Sequence, residues 1–166
     1  MLIVSADAHF TTKMPTKRLA ADCLLTDEAG RLLVLDPPYK VRWDIPGGIV
    51  EVDESPRRGA QCEVQEEIGL DIELGQVLVV DWKPRDGDFT EVVALLFDGG
   101  TLTARDIDRI VIEPSEVRGY RLVEVDEAAT LLDAELFARA AVGLAARATG
   151  RIAYLANGVP STSHTM

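Results

Sequence analysis

The fold is decided by residues 47–70, which read GGIVEVDESPRRGAQCEVQEEIGL. Ser55 and Pro56 supply an N-cap side chain and a first-turn proline, a combination that starts many helices. Gly69 is a typical helix stop, because glycine adopts the left-handed conformation of a C-terminal cap without strain. We therefore predict a helix from this cap to about Ile68, preceded by a short extended segment that ends on two glycines.

Three glutamates, Glu63, Glu66 and Glu67, share one side of this predicted helix. At 100° per residue they fall within an arc of about 100°. Like charges at these spacings are unfavourable by roughly 0.2–0.5 kcal/mol a pair, and no lysine or arginine follows Glu63 within one turn. Acidic clusters on helices are usually solvated faces, but carboxylates are also the ligands that Mg²⁺ and Mn²⁺ prefer. We interpret the stripe as a candidate metal site.

Outside this stretch, short apolar runs rich in β-branched residues predict strands, and one alanine-rich amphipathic run predicts a helix. The strand candidates are a hairpin within residues 18–38 and single strands at 76–82, 91–97 and 120–125, and the helix candidate is 133–150. Runs of strands with one helix early and one or two late favour an α+β fold or an α/β/α sandwich. We expect one domain, residues 17–150, between an N-terminal extension (1–16) and a C-terminal tail (151–166).

The composition is acidic. Lysine and arginine number 17 against 28 aspartates and glutamates, which gives a formal net charge of −11. Such a charge repels a phosphate backbone at long range, so we expect no nucleic-acid partner. A small anionic substrate remains compatible with the charge, because a bound divalent cation reverses the field locally.

Neither the cysteines nor the apolar segments indicate an extracellular or membrane protein. Cys23 and Cys62 lack the spacing of a zinc site, and we expect free thiols in a reducing compartment. The apolar patch near the start is too short for a signal peptide, and no run approaches the roughly 18 apolar residues of a membrane span. We expect a cytoplasmic protein that acts as a monomer or homodimer and does not bind membranes.

The glutamate stripe and its flanking glycines resemble the Nudix box, the loop-helix-loop signature of hydrolases that act on a nucleoside diphosphate linked to another moiety. The pattern is G, five residues, E, seven residues, then R-E-U-x-E-E-x-G-U, where U is a bulky aliphatic residue. The matching residues are Gly48, Glu54, Glu63, Val64, Glu66, Glu67, Gly69 and Leu70. The preceding WDIPGG, residues 43–48, also resembles the usual lead-in, whereas Cys62 occupies the arginine position.

The resemblance implies a Nudix fold, in which a mixed β-sheet lies between helices in an α/β/α sandwich. It also implies that the three stripe glutamates are catalytic and bind Mg²⁺ or Mn²⁺. The implied metal ligands are Gly47, through its carbonyl, Glu63, Glu66 and Glu67, and the residues implied to support the box are Gly48, Glu54 and Gly69. We expect these residues to form the catalytic centre.

The resemblance also implies a general base, and the aromatic residues are candidates for a substrate platform. In this family a glutamate acts as the base, either in the box or in a later loop, and it must lie within hydrogen-bond reach of the attacking water. The later candidates are Glu113 and Glu116, of which we select Glu116. Aromatic rings offer flat apolar faces to a substrate base, and the candidates are Tyr39, Trp43, Trp82 and Phe89, of which we select Trp43.

The resulting hypothesis is a metal-dependent hydrolase that cleaves a P–O–P bond in a nucleoside triphosphate or other nucleoside diphosphate derivative, by attack of water on phosphorus. The alternative is a Nudix-fold nucleotide-binding or sensor module with weak or no catalysis, because the thiol of Cys62 cannot supply the donors and charge of arginine. Arg57 or Arg58 is a candidate replacement for that cation. An isomerase of isoprenoid diphosphates is disfavoured, because His9 and His164 both lie in the terminal segments.

Overall fold

The computed structural model describes residues 14–161 and contains an eight-stranded sheet with helices on both faces. The strands are β1 (Arg18–Asp27), β2 (Leu32–Asp36), β3 (Gly47–Ile49), β4 (Val77–Lys83), β5 (Val92–Leu102), β6 (Gly119–Val123), β7 (Ala153–Ala156) and β8 (Val159–Pro160). The helices are α1 (Pro56–Ile68), α2 (Ala104–Ile107), α3 (Val125–Leu131) and α4 (Ala134–Thr149). The strand order is β6-β2-β1-β5-β4-β7-β8, with β3 paired to β1. The sheet is mixed, because β1 pairs with β5 and β4 with β7 in parallel while the remaining pairs are antiparallel.

Two hydrophobic cores lie on opposite faces of this sheet. Successive side chains of a strand point to opposite faces, so Leu24 of β1 packs into the core under α3 and α4, while its neighbour Leu25 packs into the core under α1. Ala60, Val64 and Ile68 form the buried face of α1, as their helical spacing predicts. The helices therefore enclose the sheet, and the predicted α/β/α sandwich with a mixed sheet is confirmed.

Strand β1 has different partners along one edge, and this places the two glycines of β3. Its end pairs with β2 at Thr26, whereas nearer its start Asp22 pairs with Gly47. Beside this point the Cys23 N–H donates to the Pro46 carbonyl at 2.8 Å. Strands β2 and β3 thus pair with different parts of β1, and the first residues of β3, Gly47 and Gly48, contact α1.

Local sequence signals fix both ends of α1. The Ser55 hydroxyl accepts from the Arg58 N–H at 3.3 Å, and Pro56 occupies the first turn. Gly69 has a φ of 71°, and its N–H donates to the Gln65 carbonyl at 3.0 Å. A side chain at Gly69 would also place a Cβ 3.1 Å from the Val111 carbonyl oxygen. The cap therefore requires glycine both for its conformation and for the close approach of the following chain.

The sheet extends past residue 150, where the sequence predicts the end of the domain. Strand β7 pairs in parallel with β4, and the Asn157 N–H donates to the Trp82 carbonyl at 2.8 Å. The sequence signal is Asn157-Gly158, a dipeptide typical of a tight hairpin turn, which joins β7 to β8. Residues 153–160 are therefore part of the sheet and not a tail. Most of the predicted extension (1–16), and the end of the predicted tail from residue 162, lie outside the described residues.

Among residues 14–161, no helix is both long enough and apolar enough to span a membrane.

Candidate active site

Two of the three stripe glutamates lie against the glycines of β3. The Gly47 N–H donates to the Glu67 carboxylate at 3.2 Å. Gly48 has no side chain to occupy the neighbouring space, and the Glu63 carboxyl fills it, so that a Cβ on Gly48 would lie 2.2 Å from Glu63 Oε1. Gly47 has a φ of 147°, and a Cβ there would lie 2.6 Å from the Cα of Asp22. The two glycines therefore allow β1, β3 and α1 to meet.

The carboxylates at this junction are electrostatically strained. Burial, together with the adjacent Glu63 carboxylate and against the opposing effect of the Gly47 N–H, raises the pKa of Glu67 to about 9. Burial likewise raises the pKa of Glu63 to about 7, with contributions from Glu66 and Glu116. Within residues 14–161 no lysine or arginine nitrogen lies within 4.0 Å of the three stripe carboxylates. The described side chains therefore offer no paired cation to the ionised forms of these carboxylates.

Glu66, the third glutamate, lines a groove between α1 and the chain that follows α2. The Val111 N–H donates to the Ile68 carbonyl at 3.0 Å and the Glu113 N–H to the Glu67 carbonyl at 3.3 Å, so residues 111–117 are docked on the end of the helix. This groove has a volume of about 430 Å³ and is lined by Gln65, Glu66, Gly69, Val111, Ile112, Glu113 and Glu116. The fold thus brings Glu113 and Glu116 next to helix α1.

The two later glutamates differ in what their carboxylates do. Glu113 accepts from the backbone N–H of Ser115 at 3.3 Å and from its hydroxyl at 2.9 Å, so this carboxylate caps its own loop. Glu116 lines the groove with Glu66, and its charge contributes to the raised pKa of Glu63. Of the two, Glu116 is therefore the better placed to act at the glutamate cluster, and its role as base stays a prediction.

The donor set suits a hard divalent cation in its chemistry. Carboxylate oxygens on one helix, next to a glycine backbone, are the oxygen ligands that Mg²⁺ and Mn²⁺ bind, and the raised pKa values of Glu63 and Glu67 show that their ionised forms are disfavoured in the protein alone. As the side chains stand, residues 14–161 contain no group of three or more His, Cys, Asp or Glu side chains arranged to hold an ion. The fit therefore rests on the paired carboxylates, and the ligand set Gly47, Glu63, Glu66 and Glu67 stays a prediction.

Cys62, at the arginine position of the box, makes different contacts from those of a cation. Its thiol is half-buried, and burial raises its pKa, as does a hydrogen bond with Glu54. The Glu54 carboxylate also accepts from the Glu51 N–H at 3.2 Å and would lie 2.9 Å from a Cβ on Gly59, so it is packed on the first turns of α1. Glu54 thus braces the loop before the helix.

Neither of the candidate replacement arginines pairs with the stripe. Arg57 donates to the Leu74 carbonyl, and its guanidinium lies 5.2 Å from the centre of the Phe97 ring. Arg58 lines a polar cavity of about 340 Å³ beside Cys62, together with Gln61, Gln65, Glu66, Asp71 and Ile72. The expectation that Arg57 supports the glutamates is therefore wrong, because its guanidinium is used to fix the loop that leaves the helix.

Another groove, which we call the sheet groove, lies on the α4 face of the sheet beside Gly47 and Gly48. Its volume is about 390 Å³, and its lining includes Asp22, Tyr39, Lys40, Asp44, Gly47, Gly48, Phe89 and Arg139. Tyr39 and Phe89 are each about 70% exposed (71% and 70%) and offer aromatic faces at this groove. The sheet groove thus meets the glutamate site at Gly47 and Gly48, the two glycines that contact Glu67 and Glu63.

Trp43 is not among the residues that line the sheet groove. Its ring packs against the core under α3 and α4, and the Arg121 guanidinium covers it at 5.7 Å from the ring centre. Of the four aromatic candidates, Tyr39 and Phe89 therefore line the sheet groove and Trp43 does not, so the role of Trp43 as a substrate platform stays a prediction without support from its contacts.

Sequence reasoning missed the two buried charged residues of the sheet groove, Asp22 and Arg139. Asp22 is 9% exposed and Arg139 is 5% exposed, and they form an ion pair of 2.6 Å between Arg139 Nη1 and Asp22 Oδ2. The available signal was an aspartate within the apolar run LAADCLL and an arginine within the alanine-rich helix. Both are exceptions to the burial pattern, since charged side chains are rarely buried unless paired.

Comparison with known proteins agrees with this geometry. A family model of the NUDIX domain matches residues 16–142. A MutT-like protein of Streptomyces ambofaciens is 31% identical over 140 residues, which are 81% of this chain and 87% of that protein. The crystal structure of a MutT protein from Methanosarcina mazei Go1 superposes with a TM-score of 0.65 at 24% identity, over 82% of this chain and 99% of that chain, and shows the shared fold.

A shorter match joins the chain to diphosphoinositol polyphosphate phosphohydrolase 2 of Rattus norvegicus. The two are 40% identical over 63 residues, which span 37% of this chain and only 35% of that protein. The family model and the Streptomyces relative, in contrast, each cover most of the chain. The predicted Nudix resemblance is confirmed, and the chain belongs to the Nudix hydrolase family, whose members act on nucleoside diphosphate derivatives.

Proposed function

We propose that this chain is a Mg²⁺- or Mn²⁺-dependent hydrolase that cleaves a P–O–P bond in a nucleoside triphosphate or another nucleoside diphosphate derivative. One observation carries the proposal. Glu63 and Glu67 lie side by side against two glycines, with raised pKa values and no paired cation among the described side chains. Such a cluster costs free energy in the protein alone, and a divalent cation offsets that cost.

A bound divalent cation would neutralise diphosphate oxygens and lower the pKa of a nearby water molecule. The chain's own groups account for the rest. Glu63 and Glu67 are seated by Gly48 and Gly47 in a fixed arrangement, which keeps the reorganisation needed at the moment of reaction small. Glu116 accepts a proton from the water as its oxygen bonds to phosphorus, and the bridging oxygen leaves with the other phosphate. One water molecule is thus consumed for each P–O–P bond broken.

The sheet groove supports a substrate with a flat aromatic part. Tyr39 and Phe89 expose aromatic faces at its mouth, and Lys40 lies 5.8 Å from the Tyr39 ring centre. A nucleobase stacks on such rings, and a lysine at the same place attracts a phosphate. Since the net charge is −11, a small nucleotide is a better partner than a nucleic acid. The name of the rat relative adds diphosphoinositol polyphosphates to the substrates that need testing.

A nucleotide-binding or sensor module is the second candidate function. Cys62 favours it, because the thiol and the neighbouring Glu54 leave the box without the cation that the family places there, and Arg57 is bound elsewhere. Such a module would bind the same ligands through the same glutamates and the sheet groove. Only turnover separates it from the hydrolase.

The test is a panel of nucleoside triphosphates, nucleotide sugars, dinucleoside polyphosphates and diphosphoinositol polyphosphates, incubated with Mg²⁺ or Mn²⁺ and analysed for products. In water enriched in ¹⁸O, the label in the products identifies the phosphorus that was attacked. We expect turnover of at least one nucleotide, with the label in a phosphate group. Ligand-induced thermal stabilisation without any turnover would contradict the hydrolase and favour the binding module.

A further inference from the structure

Arg139 of α4 is buried between two aspartates, Asp22 of β1 and Asp81 of β4, which are the two strands that flank β5. Its Nη1 donates to Asp22 Oδ2 at 2.6 Å, and its Nε and Nη2 donate to Asp81 Oδ2 at 3.2 Å each. The side chains are 6%, 13% and 0% exposed for Arg139, Asp22 and Asp81. Because arginine presents a planar fork of donors, one guanidinium engages both carboxylates at once.

Asp22 connects this ion triad to the glycine beside the glutamates. Asp22 and Gly47 are paired residues of β1 and β3. Oδ2 of Asp22 is held by Arg139, and its other oxygen, Oδ1, lies over Gly47, only 2.7 Å from where a Cβ on Gly47 would be. The carboxylate therefore occupies the side-chain space of Gly47 and limits where the Gly47 backbone can lie.

Gly47 in turn contacts the box helix, since its N–H donates to Glu67 at 3.2 Å. A continuous series of contacts thus runs from Arg139 through Asp22 and Gly47 to Glu67. We propose that Arg139 is a positioning residue of the metal site, which fixes Asp22 against Gly47 and so holds Gly47 and Glu67 in place for a divalent cation. This inference rests on the proposed metal dependence, and it concerns residues that lie outside the box.

The same helix offers a matched control in Arg147. Its Nη2 donates to the Leu24 carbonyl at 2.6 Å and contacts Asp98 Oδ1 at 2.7 Å, and its Nη1 donates to Thr26 at 3.0 Å. Like Arg139, this arginine ties α4 to β1 with several bonds and is partly buried, at 23% side-chain exposure. Its partners on β1, Leu24 and Thr26, lie two and four residues beyond Asp22, Asp98 lies on β5, and Arg147 does not bond Asp22, so a lysine there should lower stability without disturbing the glutamates.

The experiment compares wild type, Arg139→Lys and Arg147→Lys in calorimetric titrations with Mn²⁺ and Mg²⁺ without substrate, alongside thermal melts in EDTA. Lysine keeps the charge but cannot bridge both carboxylates with a planar fork. We expect Arg139→Lys to lower Mn²⁺ affinity about tenfold, and Arg147→Lys to leave it within about twofold of wild type for a similar loss of melting temperature. Equal affinities in all three proteins, or equal losses in both variants, would overturn the proposal.

Asp22→Asn keeps the shape of Asp22 and provides a second variant if Arg139→Lys does not fold. We expect it also to lower Mn²⁺ affinity, and the double variant Asp22→Asn/Arg139→Lys to lose no more than the worse single variant, because both changes break one series of contacts. Additive losses would overturn the proposal. If wild type binds neither metal, the proposed metal dependence and this inference are both refuted. If wild type binds metal and Arg139→Lys binds it equally tightly, the inference alone is refuted.

Discussion

The backbone N–H of Gly47 donates a hydrogen bond to the carboxylate of Glu67 across 3.2 Å, and so joins strand β3 to helix α1. One residue later, the missing side chain of Gly48 leaves the space that the Glu63 carboxyl fills. The two glycines therefore seat two glutamates from one face of the helix. Because the position of Glu67 depends on one hydrogen bond and that of Glu63 on the space beside Gly48, single substitutions can test each position separately.

Gly48→Ala tests the seat of Glu63. The added Cβ would lie 2.2 Å from Glu63 Oε1, which is too close, so the Glu63 side chain must move away. It can do so at little cost because its end is flexible. We expect the fold to persist, the melting temperature to fall only slightly, and Mn²⁺ affinity and kcat/KM each to drop about 10- to 100-fold. Calorimetric titration with Mn²⁺ and initial rates on the best substrate would measure both effects.

Gly119→Ala is the matched control for that change. Gly119 opens strand β6, and a Cβ there meets no atom within 4 Å. We expect no effect on Mn²⁺ affinity and a stability equal to or slightly above that of wild type, since alanine restricts the unfolded chain more than glycine does. If Gly48→Ala bound Mn²⁺ as well as Gly119→Ala, the close contact would have no functional meaning.

Glu67→Gln separates charge from shape at the second seat. Glutamine keeps an oxygen that can accept from the Gly47 N–H, but unlike Glu67, whose pKa is raised to about 9, it cannot ionise. In EDTA at neutral pH we expect the variant to melt at a higher temperature than wild type, because a carboxyl group with a raised pKa destabilises the fold above its ordinary pKa and an amide does not. In Mg²⁺ the order should reverse, since wild type alone gains stability from the ion. Differential scanning fluorimetry in both buffers measures the crossing, and parallel shifts would argue against a metal at this site.

Cys62→Arg restores the cation that the box lacks. A cavity of about 340 Å³ beside Cys62 gives a longer side chain room, and an arginine there pairs with Glu66 at i, i+4. We expect metal affinity or kcat/KM to rise about two- to tenfold. Cys62→Met adds length without charge and should give no rise. Equal behaviour of the arginine and methionine variants would mean that the missing cation does not limit this protein.

Acid pH should loosen the segment that carries Glu116. Two residues after it, Arg118 donates to Asp36 from Nε at 3.1 Å and from Nη2 at 2.5 Å, and these bonds hold the pKa of Asp36 below its ordinary value of 3.8. Because the pKa of Asp36 is lower in the folded protein than in the unfolded chain, the ionised Asp36 stabilises the fold at pH values above 3.8. This stabilisation is lost as the pH falls through the lowered pKa of the folded protein. Asp36→Asn should therefore unfold at lower urea than wild type at about pH 6 but not at about pH 2.

The control for that pH dependence is Asp88→Asn, because Asp88 is exposed on the turn between β4 and β5. Its urea midpoint should follow wild type at both pH values. If Asp36→Asn showed the same offset from wild type at acid and neutral pH, the Asp36 charge would not be its cause.

Helix α1 was predictable because its signals are local. The Ser55 cap, Pro56 and Gly69 each act within one turn of the helix, and the spacing of the three glutamates places them on one face without knowledge of the rest of the chain. What the spacing does not contain is the partner of each glutamate. Glu63 meets Gly48 and Glu67 meets Gly47 only because β3 is placed beside α1 by its pairing with β1.

The features that sequence reasoning missed depend on long-range contacts. Asp22 and Arg139 are 117 positions apart in the chain, so their pairing follows from the way α4 crosses the sheet and not from any local pattern. Trp43 was an aromatic candidate on composition alone, and its ring is covered by Arg121. Asn157-Gly158, in contrast, is a local turn signal that was present in the sequence and could have extended the predicted sheet.

The most direct test of the account is the initial rate of hydrolysis of the best nucleotide substrate, measured for wild type and Glu67→Gln in Mg²⁺ and after addition of EDTA. We expect turnover by wild type in Mg²⁺, its loss in EDTA with recovery when Mg²⁺ is returned, and a rate for Glu67→Gln lower by about 100-fold or more. Wild-type turnover that persists in EDTA, or a Glu67→Gln variant as fast as wild type, would contradict it.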